Sequence, residues 1–127
     1  MALTQTGRGA KLYDEKACWD KAMEWGAAFT YRKLKKWHRD YYGFGSQMGP
    51  CWAMWRYAIN NAEECFPQYK QWYFQTYENS LRHKEDIKSE VNFKDFLEDC
   101  KAHAKGKNTI LSRSAYKKFC EKYGLET

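Results

Sequence analysis

Proline is nearly absent from this chain, with Pro50 and Pro67 the only two among 127 residues. That scarcity excludes a Pro-rich extended linker. Proline is tolerated at the first position of a helix but not in its interior, so each is expected to stand at a helix start. Long apolar runs are missing too. No stretch approaches the roughly 20 apolar residues that cross a bilayer, and residues 1–11 lack the apolar centre of a secretory signal. A soluble protein that is not exported is the expectation. Sustained strand-like alternation, internal repeats and low-complexity segments are all lacking, which leaves helical periodicity as the organising pattern. No C-x-x-C pair occurs. The five cysteines, Cys18, Cys51, Cys65, Cys100 and Cys120, are odd in number and irregularly spaced. They suit reduced thiols in a cytoplasmic compartment better than a disulfide framework.

What is present is charge and aromatic surface. The chain carries a formal net charge of +6, a hydrophobic fraction of 43%, six tryptophans, ten tyrosines and seven phenylalanines. A mean hydropathy of −0.92 reflects its charged residues and tyrosines rather than disorder, because a tyrosine ring can be buried while its hydroxyl finds a partner. The spacing predicts an all-α protein, a single compact bundle of about five helices over residues 1–127, with 1–11 a flexible N-terminal segment.

The first helix is expected over residues 14–42, with Trp19, Met23, Ala27, Thr30, Leu34, Trp37 and Tyr41 forming an inward stripe. Gly43, Gly45, Ser46 and Gly49 then mark a turn. A second helix starts at Pro50. Between Cys51 and Ile59 only Arg56 is charged, so this helix belongs at the bundle centre. Pro67 is expected to break the chain after Phe66 and to open a third helix running to about Lys88. Asn92 is placed to cap a fourth helix with Asp95 at its third position, Val91 and Phe96 have the spacing of a hydrophobic staple, and Gly106 ends it. A last helix covers residues 114–123, with Tyr116, Phe119, Cys120 and Tyr123 on one face and Gly124 as its stop.

The strongest functional feature is the run from Arg32 to Arg39, in which Arg32, Lys33, Lys35, Lys36 and Arg39 surround Leu34, Trp37 and His38. On a helix the two apolar residues point inward and the cations cover the remaining surface. Such a face either keeps a helix solvated or meets phosphates with counterion release; only Asp40 stands nearby to neutralise it. Tyr41, Tyr42 and Phe44, next to the basic run and beside glycines, offer rings to unpaired bases, and Tyr42 and Phe44 are the ones expected to be exposed. Both ends of the chain are basic: residues 1–50 hold nine Lys/Arg against five Asp/Glu, and residues 92–127 hold eight against five. Arg113, Lys117, Lys118 and Lys122 decorate the last helix. The last two helices resemble a helix-turn-helix loosely, but eight residues separate them, too many for a major-groove reader.

Chemistry is harder to find. Asp99, Cys100 and His103 share a helix face that Cys120 can approach, yet without a C-x-x-C pair the thiols read as small hydrophobes. Cys120 with His103 or His38 lacks any nucleophile motif. The adjacent acids Glu63-Glu64, Glu85-Asp86 and Glu98-Asp99 diverge around their helices, and Gly43-Phe44-Gly45 has no phosphate-loop spacing. No metal, cofactor or enzymatic activity is expected. The expected partner is nucleic acid or an acidic protein surface, met without much sequence specificity. The competing expectation is a protein-interaction module, either an accessory subunit of a larger assembly or an inhibitor that occludes its partner's functional surface.

Overall fold

The computed structural model describes residues 4–5, 12–42, 49–76, 90–107 and 110–127. Six α-helices carry these residues: α1 (Glu15–Trp25), α2 (Tyr31–Tyr42), α3 (Gly49–Asn60), α4 (Ala62–Thr76), α5 (Phe93–Ala104) and α6 (Arg113–Tyr123). A two-residue antiparallel ladder precedes them, β1 (Thr4–Gln5) against β2 (Leu12–Tyr13), with Thr4 opposite Tyr13 and Gln5 opposite Leu12. The all-α bundle agrees with the hydrophobic spacing, with six helices rather than about five. Of the N-terminal segment expected to be flexible, Thr4 and Gln5 belong to this ladder; residues 1–3 and 6–11 lie outside the described residues.

α3 is the central helix, as its single charged residue, Arg56, implied. Eight of its twelve residues are buried, and it packs against α1, α2, α4, α5 and β2. A single core runs from Trp19 and Ala22 of α1 through Met54 and Trp55 of α3 to Tyr69 and Trp72 of α4, Phe96 and Cys100 of α5 and Phe119 of α6. Tyr13 plugs one side. Its ring lies 4.8 Å from that of His38 and closes over Gly49, where a β-carbon would collide with it.

The expected first helix divides in two. α1 starts on Asp14, whose carboxylate accepts from Ala17 N at 3.0 Å, and stops at Gly26 with φ +52° and ψ −117°, a conformation that side chains with a β-carbon rarely adopt. A 3-10 turn (Gly26–Ala28) follows. Phe29 then runs extended into the core, its ring edge-on to Tyr31 at 5.0 Å and Trp72 at 5.3 Å. Thr30, placed on the inward stripe by its spacing, is instead a cap: its hydroxyl accepts from Lys33 N at 3.1 Å. The restart shifts the buried face of α2 to Leu34 and His38, and leaves Ala27 and Tyr41 exposed and Trp37 half-buried. The stripe misled because its three-and-four spacing continues across the break.

Pro67 starts no helix; it is the sixth residue of α4. Asn61 alone separates α3 from α4. Its N–H closes α3 on Tyr57 O at 3.0 Å, and its carbonyl opens α4 by accepting from Cys65 N at 2.9 Å. Pro67 forgoes the bond that an N–H there would make to Glu63 O, while Cys65, Tyr69, Trp72 and Tyr73 bury the opposite side of the helix. The expected extension to Lys88, with Tyr77 and Leu81, lies outside the described residues, as does the Gly43–Ser46 turn.

The last two helices follow their local signals. Asn92 accepts from Asp95 N at 2.9 Å while Asp95 accepts from Asn92 N at 3.0 Å, a complete capping box, and Val91 and Phe96 are both buried. Gly106, at φ +74°, follows α5. Ser112 caps α6 by accepting from Ala115 N at 3.2 Å. Gly124, left-handed at φ +69°, ends it, and Leu125 N returns to Cys120 O at 2.8 Å.

Candidate nucleic-acid interface

At 3.6 residues per turn, Lys35, Arg39, Arg32, Lys36 and Lys33 fall in that order within one arc of about 160° on α2, with Arg32 at its middle. They form one continuous stripe instead of scattering over the remaining surface. Leu34 and His38, fully buried, anchor the opposite face. His38 therefore adds nothing to the charged surface: its ring sits against Tyr13 and, edge-on, 6.1 Å from Trp37.

Asp40 is the one acid within this arc. Lys36 Nζ holds its carboxylate at 2.7 Å and Arg39 Nε lies 3.9 Å away. The Lys36 hydrogen bond is the main reason that the Asp40 carboxyl is held below its ordinary range. All three side chains are more than half exposed, so this cluster can exchange partners at little cost. Lys33 reaches back along the surface to donate to Ala28 O at 3.0 Å, its ammonium 4.9 Å from the Trp25 ring centroid. Lys35 is half-buried; its charge favours the Cys51 thiolate, although burial, the larger influence, pushes that thiol up to about 12. Among the described residues Arg32 has no ion-pair partner.

Aromatic residues border the Lys33 side of the arc. Trp37 and Tyr41 stack with centroids 6.0 Å apart and planes 24° from parallel, and Tyr41 is 63% exposed. Lys21 of α1 lies between two indoles, its Nζ 5.8 Å from the Trp25 ring and 5.5 Å from the Trp37 ring, while pairing with Glu24 at 3.0 Å. Cation and ring alternate along this edge as Lys33, Trp25, Lys21 and Trp37, with Tyr41 stacked beyond. Sequence reasoning missed Lys21 and Trp25, and put Tyr41, one of its stacking rings, on the inward stripe, because it ran α1 and α2 together; Gly26 was the available signal. The side chains of Tyr42 and Phe44 lie outside the described residues.

Arg113, Lys117, Lys118 and Lys122 are exposed on α6. By helical spacing they form two pairs, Arg113 with Lys117 and Lys118 with Lys122, on either side of Glu121. Lys122 lies 5.1 Å from the Tyr123 ring centroid, and the Tyr123 hydroxyl donates to Glu63 Oε1 at 3.0 Å. α2 packs chiefly on α3 and α1 and α6 on α5, so the two basic helices are carried by different neighbours. The connection from α5 to α6 keeps the eight-residue length that argued against a helix-turn-helix.

The side chains considered for metal or nucleophile chemistry have structural partners. His103 Nδ1 lies 2.8 Å from Asp99 O and 3.4 Å from Asp99 Oδ1, and the Tyr69 hydroxyl donates to Asp99 Oδ2. Cys100 and Cys120 are fully buried, and burial pushes the Cys100 thiol well above its ordinary value. Among the described residues no three His, Cys, Asp or Glu side chains converge on a common point for a metal ion. No helix among them is long and apolar enough to cross a membrane.

No protein-family model, curated protein or solved structure matches the chain.

Proposed function

We propose that the protein is a non-catalytic binding module for nucleic acid, using the outer face of α2. Arg32, Lys33, Lys35, Lys36 and Arg39 contact phosphates, and Trp37 with Tyr41 offers a ring to an unpaired base at the edge of the stripe. The observation that carries this reading is the continuous cationic arc with Asp40 as its one acid. Phosphate contacts of this kind position a strand without reading its sequence, and stacking tolerates every base. Arg113, Lys117, Lys118 and Lys122 contribute where a long ligand reaches α6. Five unpaired thiols suit a reducing, cytoplasmic setting.

Fluorescence anisotropy against labelled single-stranded and duplex DNA and RNA tests this at about 50 and about 200 mM salt. Three to five phosphate contacts give a log–log salt slope of roughly −2 to −3.5 on a single strand. Replacing Lys33, Lys35, Lys36 and Arg39 by Gln flattens that slope and weakens binding by a similar factor for every sequence. Tyr41→Ala weakens single-strand binding by about 1–3 kcal/mol while sparing duplex. Unchanged affinity in a folded fourfold variant removes α2 as the site.

An acidic protein surface is the second reading, favoured by the exposed Tyr41 beside Arg39, since aromatics and Arg are the usual interface anchors. Such a partner makes the protein an accessory subunit or an inhibitor. Absence of nucleic-acid binding even at the lower salt selects it.

A further inference from the structure

α1 ends on Trp25, half-buried, and α2 packs on α1 across the break that follows at Gly26. Two ammonium groups from different helices meet this one indole. Lys33 Nζ of α2 lies 4.9 Å from its ring centroid and Lys21 Nζ of α1 lies 5.8 Å from it. The Lys21 ammonium is also 5.5 Å from the Trp37 ring, so the two indoles share it.

The two lysines are not held alike. The Lys21 side chain is half-buried and pairs with Glu24 at 3.0 Å. Lys33 is exposed, and among the described residues it has no carboxylate partner; its ammonium rests on Ala28 O at 3.0 Å and on the indole. By helical spacing Lys33 is also the cation of the α2 arc nearest the rings. An ammonium over an exposed ring stabilises by a factor of roughly two to five. A base stacked on an aromatic ring contributes a factor of roughly five to 150. A base therefore displaces Lys33 from the Trp25 ring, and the released ammonium can pair with a phosphate of the same strand. A duplex cannot make this exchange, because its stacked bases present only their edges in the grooves.

We infer that the ligand of the α2 surface is single-stranded nucleic acid and that Trp25 is a base-stacking platform within that site, uncovered when Lys33 leaves the indole for a phosphate. This rests on the reading of α2 as a nucleic-acid surface and extends the site onto α1. Trp37, which shares Lys21 with Trp25 and stacks on Tyr41, receives a nearby base of the same strand. Lys21, held by Glu24, remains between the two indoles as a fixed cation.

The test compares two labelled strands of equal charge and of about 12 nucleotides, one of thymidine and one abasic throughout. Each is titrated against the full chain by fluorescence anisotropy at about 50 mM salt. The thymidine strand is expected to bind at least about fivefold more tightly, the low end for a single stacked base. Trp25→Leu keeps apolar bulk without a flat ring; it should lower thymidine affinity at least about threefold and leave the abasic strand unchanged. Illumination of the wild-type complex with an iodouracil strand, followed by mass spectrometry, should attach the strand at Trp25. Equal, salt-sensitive binding of the two strands overturns the base platform and leaves α2 as a phosphate surface. No saturable binding of either removes the α2 reading and this inference with it. Full thymidine affinity in a folded Trp25→Leu protein overturns the role of Trp25; where that variant unfolds, absence of the Trp25 cross-link does so.

Discussion

The imidazole of His103 lies flat on the indole of Trp55, ring centroids 3.8 Å apart and planes 14° from parallel. Asp99 engages His103 from one side and the Tyr69 hydroxyl from the other, and the Tyr69 ring meets Trp55 edge-on at 6.5 Å. Four residues from α3, α4 and α5, the half-buried carboxylate of Asp99 among them, thus close a ring of contacts. Members of one network couple where independent sites add. His103→Ala and Tyr69→Phe should each destabilise by about 1–2 kcal/mol, the first through the lost stack and both through a lost bond to Asp99. A double-mutant cycle by urea unfolding should give a coupling of at least about 0.5 kcal/mol. Strict additivity would show that Asp99 does not join them.

Gly26 and Gly106 both have positive φ, but their surroundings differ. A β-carbon at Gly106 meets nothing within 4 Å, whereas one at Gly26 comes within 2.6 Å of Gln75 Oε1. Gly106→Ala should cost about 1–2 kcal/mol, the strain of a left-handed residue with a side chain. Gly26→Ala should cost more, and adding Gln75→Ala should recover part of the difference. Equal costs at both positions in urea unfolding would mean that the Gln75 contact carries no energy.

Pro67→Ala should stabilise the protein. The new N–H can reach Glu63 O, and the ring's clash with that carbonyl disappears, a gain of up to about 3 kcal/mol. The freer unfolded chain offsets about 0.4–1 kcal/mol of it. A higher urea midpoint at unchanged m-value checks this; a lower one would show that the exposed Pro67 ring contributes contacts worth more than the missing bond.

Glu15 and Arg56 link α1 to α3, with Oε2 to Nε at 3.2 Å. Burial raises the Glu15 carboxyl above its ordinary 4.5; Arg56 opposes the shift and Asp14 adds to it. The folded state therefore holds this proton more tightly than the unfolded chain, so the contribution of Glu15 to stability falls as pH rises from 4.5 through its folded value. Glu15→Gln should accordingly gain on the wild type between about pH 4 and pH 7. Stability curves at both values decide it. A variant that loses ground toward pH 7 would make the Arg56 pair the stronger influence.

Much of the bundle was legible from neighbours within a turn or two. The Asn92 box, the Gly106 and Gly124 stops, the early Pro50 and the central α3 with its single charge all follow from local rules of capping and patterning, and each stands where those rules put it. The cations of α2 were legible as residues, but their gathering into one stripe was not, because the phase of α2 depends on where that helix restarts.

By itself, then, the sequence determined the helical class, the central helix, the two C-terminal caps and the supply of charge, since these depend on spacing and on backbone groups a few residues apart. Only the tertiary structure decided that α1 and α2 are separate, that Pro67 is carried inside a helix, and that Tyr41 faces out while His38 faces in. Those outcomes depend on partners far along the chain. Phe29 closing on Trp72 goes with the break at Gly26, Tyr69 and Trp72 packing into the core outweighs the bond lost at Pro67, and Tyr13 covers His38. In each case burial of a large ring exceeds the cost of a broken local rule.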